Sequence, residues 1–207
     1  MRQELYHWLY QMDLYREKFL NDDAINSAML NAVSFYEMVH SNGVHLVGPV
    51  NLHEILINPE NGHFEVVAGG DKDALMQDID SIKFMPPEVL NMKSRWSLEA
   101  DKFVLAEILF VLKYCKHPYD GRRVLEWPII DVNIARQLYG DCHFVFDSEN
   151  MDNSLDYYTD PGAIEVWAHD NNTEIKNAFI QVFTKGYLDA GYRLSDSDWK
   201  NLIGKRN

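Results

Sequence analysis

The chain has 207 residues, 46% of them hydrophobic, and sets 19 Lys plus Arg against 32 Asp plus Glu, for a formal charge of −13. A chain of this length buries one sizeable core, so one domain over residues 1–207 is expected, and its negative field argues against nucleic acid and anionic membrane surfaces as partners. No stretch approaches the roughly 20 apolar residues that span a bilayer, and the start, MRQELYHWLYQM, lacks a basic region leading into a short apolar core, so a cytoplasmic location is expected.

In chain order, residues 4–20 place Leu5, Trp8, Leu9, Met12 and Phe19 near helical spacing. Asp22 or Asp23 caps a second helix carrying Ile25, Met29, Ala32, Tyr36 and Val39, and Asn42-Gly43 stops it. From Val44 to Ala68 the period changes. EILI and HFEVV are short β-rich runs around NPENG, whose Pro and Asn-Gly favour chain reversal, so a small β-hairpin is expected among helices.

A short helix is expected near Lys72 to Asp80, followed by Pro86-Pro87 and a helix from about Ala100 to Cys115. That helix is apolar all round, which implies burial on every side, and Lys116-His117-Pro118 closes it. Arg122 to Asp170 is rich in Asp and Asn and reads as extended loops with one short helix, IARQLYG. Two helices close the chain: Glu174 to Thr184, carrying Ile175, Phe179 and Phe183, and one opened by Ser195 with Asp198 at the capping-box position, leading into Trp199 and Leu202. Cys115 and Cys142 show no metal-ligand spacing and read as reduced and structural.

The order of helices, NLHEILINPENGHFEVV, PPEV, a buried helix with Asp101, HPYDG, and a late Arg before the last helix resembles the large, helical lobe of protein kinases. The expected fold is therefore mainly α with a small β-hairpin: a kinase-like large lobe lacking the N-terminal β lobe. The resemblance divides the chain into two helices (1–43), a degenerate catalytic loop and hairpin (44–71), an activation-segment-like stretch (72–99), and the buried helix with long loops and terminal helices (100–207). Three blocks, DKFVLAEILFVLKYCKHPYDGRR, LYGDCHFVFDSENMDNS and VWAHDNNTEIKNAFIQVFTKGYLDAGYRLSDSDW, resemble a bacterial kinase-like group encoded beside von Willebrand A-type and metal-dependent phosphatase proteins.

Carried onto this chain, the resemblance puts Pro49 at the catalytic Asp, Val47-Gly48 at the preceding His-Arg, and Glu54 at the metal-binding Asn. It puts Ala68-Gly69-Gly70 at Asp-Phe-Gly. Proline accepts no proton and alanine binds no metal, while phosphoryl transfer needs both a positioned carboxylate and a bound cation. No glycine-rich loop or strand lysine precedes Val44. By contrast, Glu88 matches the Ala-Pro-Glu glutamate, expected to pair with a buried arginine, here Arg193. Asp101 matches the aspartate that bonds backbone amides of the catalytic loop.

The resemblance thus implies a catalytically inactive pseudokinase with no cofactor, acting as a binding, scaffold or regulatory protein. Its partners would be phosphatase or von Willebrand A-type proteins, or a second copy covering the face on which the small lobe packs. Several alternatives stay open. Glu54 and Asp71 form a residual cation site or are solvated carboxylates, and the degenerate pocket serves another nucleotide or phosphotransfer chemistry. His40, His45, His53 and His63 hold a transition metal or are structural. Glu88 and Arg193 are a buried pair or unrelated surface charges. Tyr6, Trp8, Tyr10 and Tyr15 form a docking surface or, as aromatics at helical spacing ordinarily do, belong to the core. A small lobe could also be supplied upstream or by another chain.

Overall fold

Acidic residues at the start of an apolar-periodic run favour a helix because they sit against its unpaired N–H groups. Asp22–Ser41 is such a helix (α2), preceded by a strand Gln3–Glu4 (β1) and a helix Leu5–Tyr10 (α1). The structure, a computed structural model, describes residues 2–10, 22–46, 48–67 and 71–205. Helix α2 buries Ala28, Met29, Ala32, Val33 and Tyr36 along one face and ends in a turn at Gly43, whose φ of +68° suits a residue without a side chain.

The expected hairpin is present as strands Ile55–Asn58 (β2) and His63–Val66 (β3), antiparallel with Ile55 opposite Val66 and Asn58 opposite His63. Its tip is pinned to α2. Gly62 has φ +69°, a side-chain carbon there would lie 2.4 Å from the Ala24 carbonyl oxygen, and the Asn31 amide donates to the Gly62 carbonyl at 2.8 Å. The sheet gains a third strand, because Gln3 and Glu4 pair with Ile57 and Leu56 of β2. The helix expected from residue 4 therefore begins at Leu5, since Glu4 is drawn into the sheet, while Met12, Tyr15 and Phe19 lie outside the described residues. Leu5 and Trp8 are core, and Tyr6 is half-buried with its ring stacked on His53 at 4.4 Å.

The single helix expected near Lys72 to Asp80 is two, Lys72–Leu75 (α3) and Ile79–Lys83 (α4). Asp78 separates them: its carboxylate accepts the Ser81 N–H and so starts a new helix. Pro86-Pro87 opens another, Pro87–Leu90 (α5), with proline in the first turn, where its missing N–H costs nothing.

The long apolar helix runs from Leu98 to Tyr114 (α6), starting two residues before the boundary drawn at 99/100, because the Ser97 hydroxyl caps Ala100. It ends at Cys115 in the left-handed conformation. Thirteen of its seventeen residues are buried, so neighbours surround it, as the all-round apolar run requires. Phe110 contacts Phe144, Phe179 and Phe183 edge-on at 5.5, 5.2 and 5.5 Å, the arrangement that ring quadrupoles favour.

Beyond α6 lie Arg122–Leu125 (α7), Val132–Gly140 (α8) and Pro161–His169 (α9). Of these only α8 is expected from IARQLYG; α7 and α9 correct the reading of Arg122 to Asp170 as otherwise extended. For α9 the cause is local, since Asp160 accepts the Ala163 N–H and Pro161 occupies the first helical position. Thr173–Phe183 (α10), Lys185–Leu188 (α11) and Asp196–Gly204 (α12) complete the chain, the last with the full capping box of Ser195 and Asp198. The chain is thus mainly helical with one small antiparallel sheet, and α2 packs on both α6 and α12. No helix among the described residues is long and apolar enough to cross a membrane.

Candidate functional site

A carboxylate one turn into a buried helix must find partners or be neutralised, because desolvation of a bare charge is too costly. Asp101 of α6 is fully buried and finds three. Its Oδ2 accepts the Leu46 N–H at 2.6 Å, its Oδ1 accepts the Trp96 indole N–H at 2.6 Å, and His40 Nε2 lies 3.3 Å from Oδ2. Burial raises its proton affinity, while the bonds from Trp96, Leu46 and His40 oppose that rise. Through Leu46, Asp101 fixes the segment between α2 and β2.

That segment carries the residues the resemblance singles out. Pro49 is buried beside Val50 and offers neither a proton acceptor nor a backbone N–H. A 3-10 turn, Leu52–Glu54, follows, started by the Asn51 carboxamide oxygen accepting the His53 N–H. Glu54 is half-buried, and its carbonyl accepts the Val67 N–H at 2.8 Å, which holds the turn to the end of β3. Asp71 is exposed and accepts the N–H of Asp73. Val47 and Ala68-Gly69-Gly70 lie outside the described residues. Among the described residues no group of three or more His, Cys, Asp or Glu is placed to hold a metal ion, so Glu54 and Asp71 are not brought into a ligand cluster.

The four histidines are placed separately. His40 sits between Asp101 and Asp196, and His53 Nδ1 lies 2.6 Å from Glu4 Oε2. His45 is half-buried and His63 exposed. Cys142 is buried, and burial pushes its thiol up to about 12, which keeps it protonated and unreactive.

Glu88 of α5 and Arg193, just before α12, meet across 105 residues. Two parallel bonds of 2.7 Å join the guanidinium to both carboxylate oxygens, and Arg193 also donates to the carbonyls of Glu99 and Gly186, each at 2.8 Å. The guanidinium lies 4.7 Å from the Phe103 ring centroid, and the Arg193 side chain is 1% exposed. Four donated hydrogen bonds and a stacked ring make this arginine a joint between α5, α6 and the turn after α11.

Residue types alone did not single out a second buried polar group. Lys83 and Asp120 pair at 3.1 Å, and the Tyr139 hydroxyl donates to Asp120 at 2.5 Å. Burial pushes the Asp120 carboxyl up, but the charges of Lys83 and Lys116 and the bond from the Tyr139 hydroxyl outweigh it and hold it below the usual carboxylate range. Burial drives His117 down to about 3, so this ring is neutral. Glu107, in the middle of α6, is buried, and among the described residues neither of its oxygens has a hydrogen-bond partner. Burial pushes its carboxyl well above the usual range against the opposing charge of Arg193, so it is held as the neutral acid. The available sequence signal was HPYDG, where a His and an Asp interrupt an otherwise apolar stretch.

Chemically, the segment puts a buried proline where the resemblance expects a proton-accepting carboxylate, and among the described residues no cluster of metal-ligating side chains forms around it. Compared with known proteins, the chain matches no family model and no curated sequence.

Proposed function

We propose that this chain is a kinase-like large lobe whose phosphate-transfer chemistry has been erased, and that it acts as a binding or scaffold protein in a bacterial phosphorylation-linked system. The contact that carries the reading is the one from Asp101 to the Leu46 N–H. In the lobe that the chain resembles, the matching aspartate holds the catalytic loop in place. Here the same kind of bond holds a segment that continues into Pro49, a residue with no proton-accepting group. The pair of half-buried Glu88 with buried Arg193 supports the same reading, because it ties the stretch after Pro86 to the helical body without touching any reacting group.

A scaffold role follows from what such a lobe can still do: present a rigid surface. The partners that fit are proteins, namely the phosphatase or von Willebrand A-type neighbours of the group it resembles, or a second copy. Its charge of −13 favours basic protein surfaces over nucleic acid or anionic lipid, and the working compartment on this reading is the cytoplasm.

The test is whether magnesium-ATP binds. A ligand that binds only the native state raises its stability by about 2.7 kcal/mol at one hundred times its Kd. The melting temperature of the full chain is expected to stay flat as magnesium-ATP is raised to millimolar concentration. A saturable upward shift contradicts the proposal.

A further inference from the structure

A neutral imidazole carries one N–H and one lone pair, so it satisfies one carboxylate and repels a second placed at its other nitrogen; only the imidazolium donates to both. His40, at the end of α2, faces a carboxylate on each side. Nδ1 lies 2.6 Å from Asp196 Oδ2 in the first turn of α12, and Nε2 lies 3.3 Å from Asp101 Oδ2 in the first turn of α6. The three side chains are 10%, 13% and 0% exposed, so water does little to relieve a mismatch.

Asp101 is committed as an acceptor on both oxygens, whereas Asp196 meets His40 through Oδ2 and its buried Oδ1 has no hydrogen-bond partner among the described residues. Asp101 already takes N–H bonds on each oxygen, from Leu46 and from Trp96. Asp196 stands in the first turn of a nine-residue helix, where the unpaired N–H groups favour negative charge. Tyr36, one turn back on α2, meets the His40 ring edge-on at 5.8 Å. Burial, with the charges of Asp101 and Asp196 adding, pushes its phenol well above the usual range, so it contributes no charge while an imidazole titrates. Across the same α2–α12 contact, Lys200 and Glu37 pair with each other at 2.6 Å and are exposed.

We propose that His40 is an imidazolium clasp: holding both ring protons, it joins α2 to α6 and α12, and losing one of them loosens the segment that Asp101 holds, beginning at the Leu46 amide. The sign follows from the geometry. The clasp is closed while the ring is doubly protonated and opens as pH rises and the ring loses a proton. One nitrogen then turns a lone pair on a carboxylate, and the buried negative charges of Asp101 and Asp196 face each other without a cation between them. The segment released is the one that continues into Pro49 and the hairpin, so the device would make this face pH-sensitive. It rests on no assumption about phosphate transfer.

The experiment follows two signals in the isotope-labelled full chain between about pH 5.5 and about pH 8.5. These are the ring nitrogen shifts of His40 and the exchange protection factor of the Leu46 amide, corrected for intrinsic exchange. Both nitrogens are expected to be protonated at the low end, and Leu46 protection is expected to fall about tenfold or more as the ring titrates, while the Val33 amide inside α2 keeps its protection. In H40Q, Leu46 protection is expected to be low and independent of pH. Should H40Q fail to fold, D196N removes the negative charge from one side of the ring while keeping a carboxamide there, and is expected to flatten the same profile. The proposal is overturned by a ring with one bare nitrogen at the low end, by a ring still doubly protonated at the high end, or by Leu46 protection that does not change as the ring titrates.

Discussion

R193M is expected to lower stability by about 3 to 5 kcal/mol, the range seen when one partner of a buried ion pair is removed. Methionine keeps an unbranched apolar chain but loses the guanidinium over Phe103, and leaves Glu88 without its cation and the Glu99 and Gly186 carbonyls without their donor. For a chain of this size that corresponds to a fall in melting temperature of roughly 10 °C. R193K is expected to recover little, because an ammonium cannot reproduce the planar fork that bonds both oxygens of Glu88 at once. The double variant R193M with E88L is expected to be more stable than R193M alone, since it removes the stranded carboxylate as well. Thermal melts of the four proteins check all three statements. Equal melting temperatures for R193M and the unaltered chain would show that the pair holds nothing together.

D101N is the second large effect. The substitution preserves shape, and the carboxamide oxygen can still accept the Trp96 indole N–H. Its NH2 then faces the Leu46 N–H and His40 Nε2, setting donor against donor in a site closed to water. A loss of about 3 kcal/mol is expected. Because the Leu46 bond is the one that fixes the segment before Pro49, the local consequence should exceed the global one: exchange protection at Leu46 should collapse further than protection in α6. Denaturant melts and amide exchange on the same sample separate the two. A uniform small loss across the chain would mean that Asp101 is not what positions the segment.

Helix starts were legible in the sequence because caps are local chemistry. Ser195 with Asp198 and the Asn42-Gly43 stop each act within one turn of the residue that signals them, whereas Asp22 and Asp23, expected as caps, lie inside the first turn of α2. The burial of α6 was legible for a similar reason, since a run apolar on every side has no face to turn to water. The strand Gln3–Glu4 was not: two residues carry no period, and only their pairing with β2 defines them. Nor was α9, because its Asp160-Pro161 start is buried in a stretch whose Asp and Asn content reads as loop.

For the candidate site the division is sharper. Residue spacing cannot show that Glu88 and Arg193 meet across 105 residues, or that His40 and Asp196 meet across 156. The first pairing was expected only through the resemblance, whose motifs carry long-range information that periodicity lacks. The second had no such guide, and His40 read as one of four histidines clustered in sequence between residues 40 and 63. The unsatisfied Glu107 was also hidden, because one glutamate within LAEILF does not disturb a helix that reads as apolar all round.

On the proposed reading a kinase-like scaffold persists without its chemistry, so an assay of phosphate transfer is decisive. The full chain, incubated with labelled ATP and magnesium or manganese, alone and with a generic basic substrate protein, is predicted to incorporate no phosphate above a heat-denatured control. Time-dependent incorporation that scales with the amount of chain, on itself or on the substrate, would contradict the account.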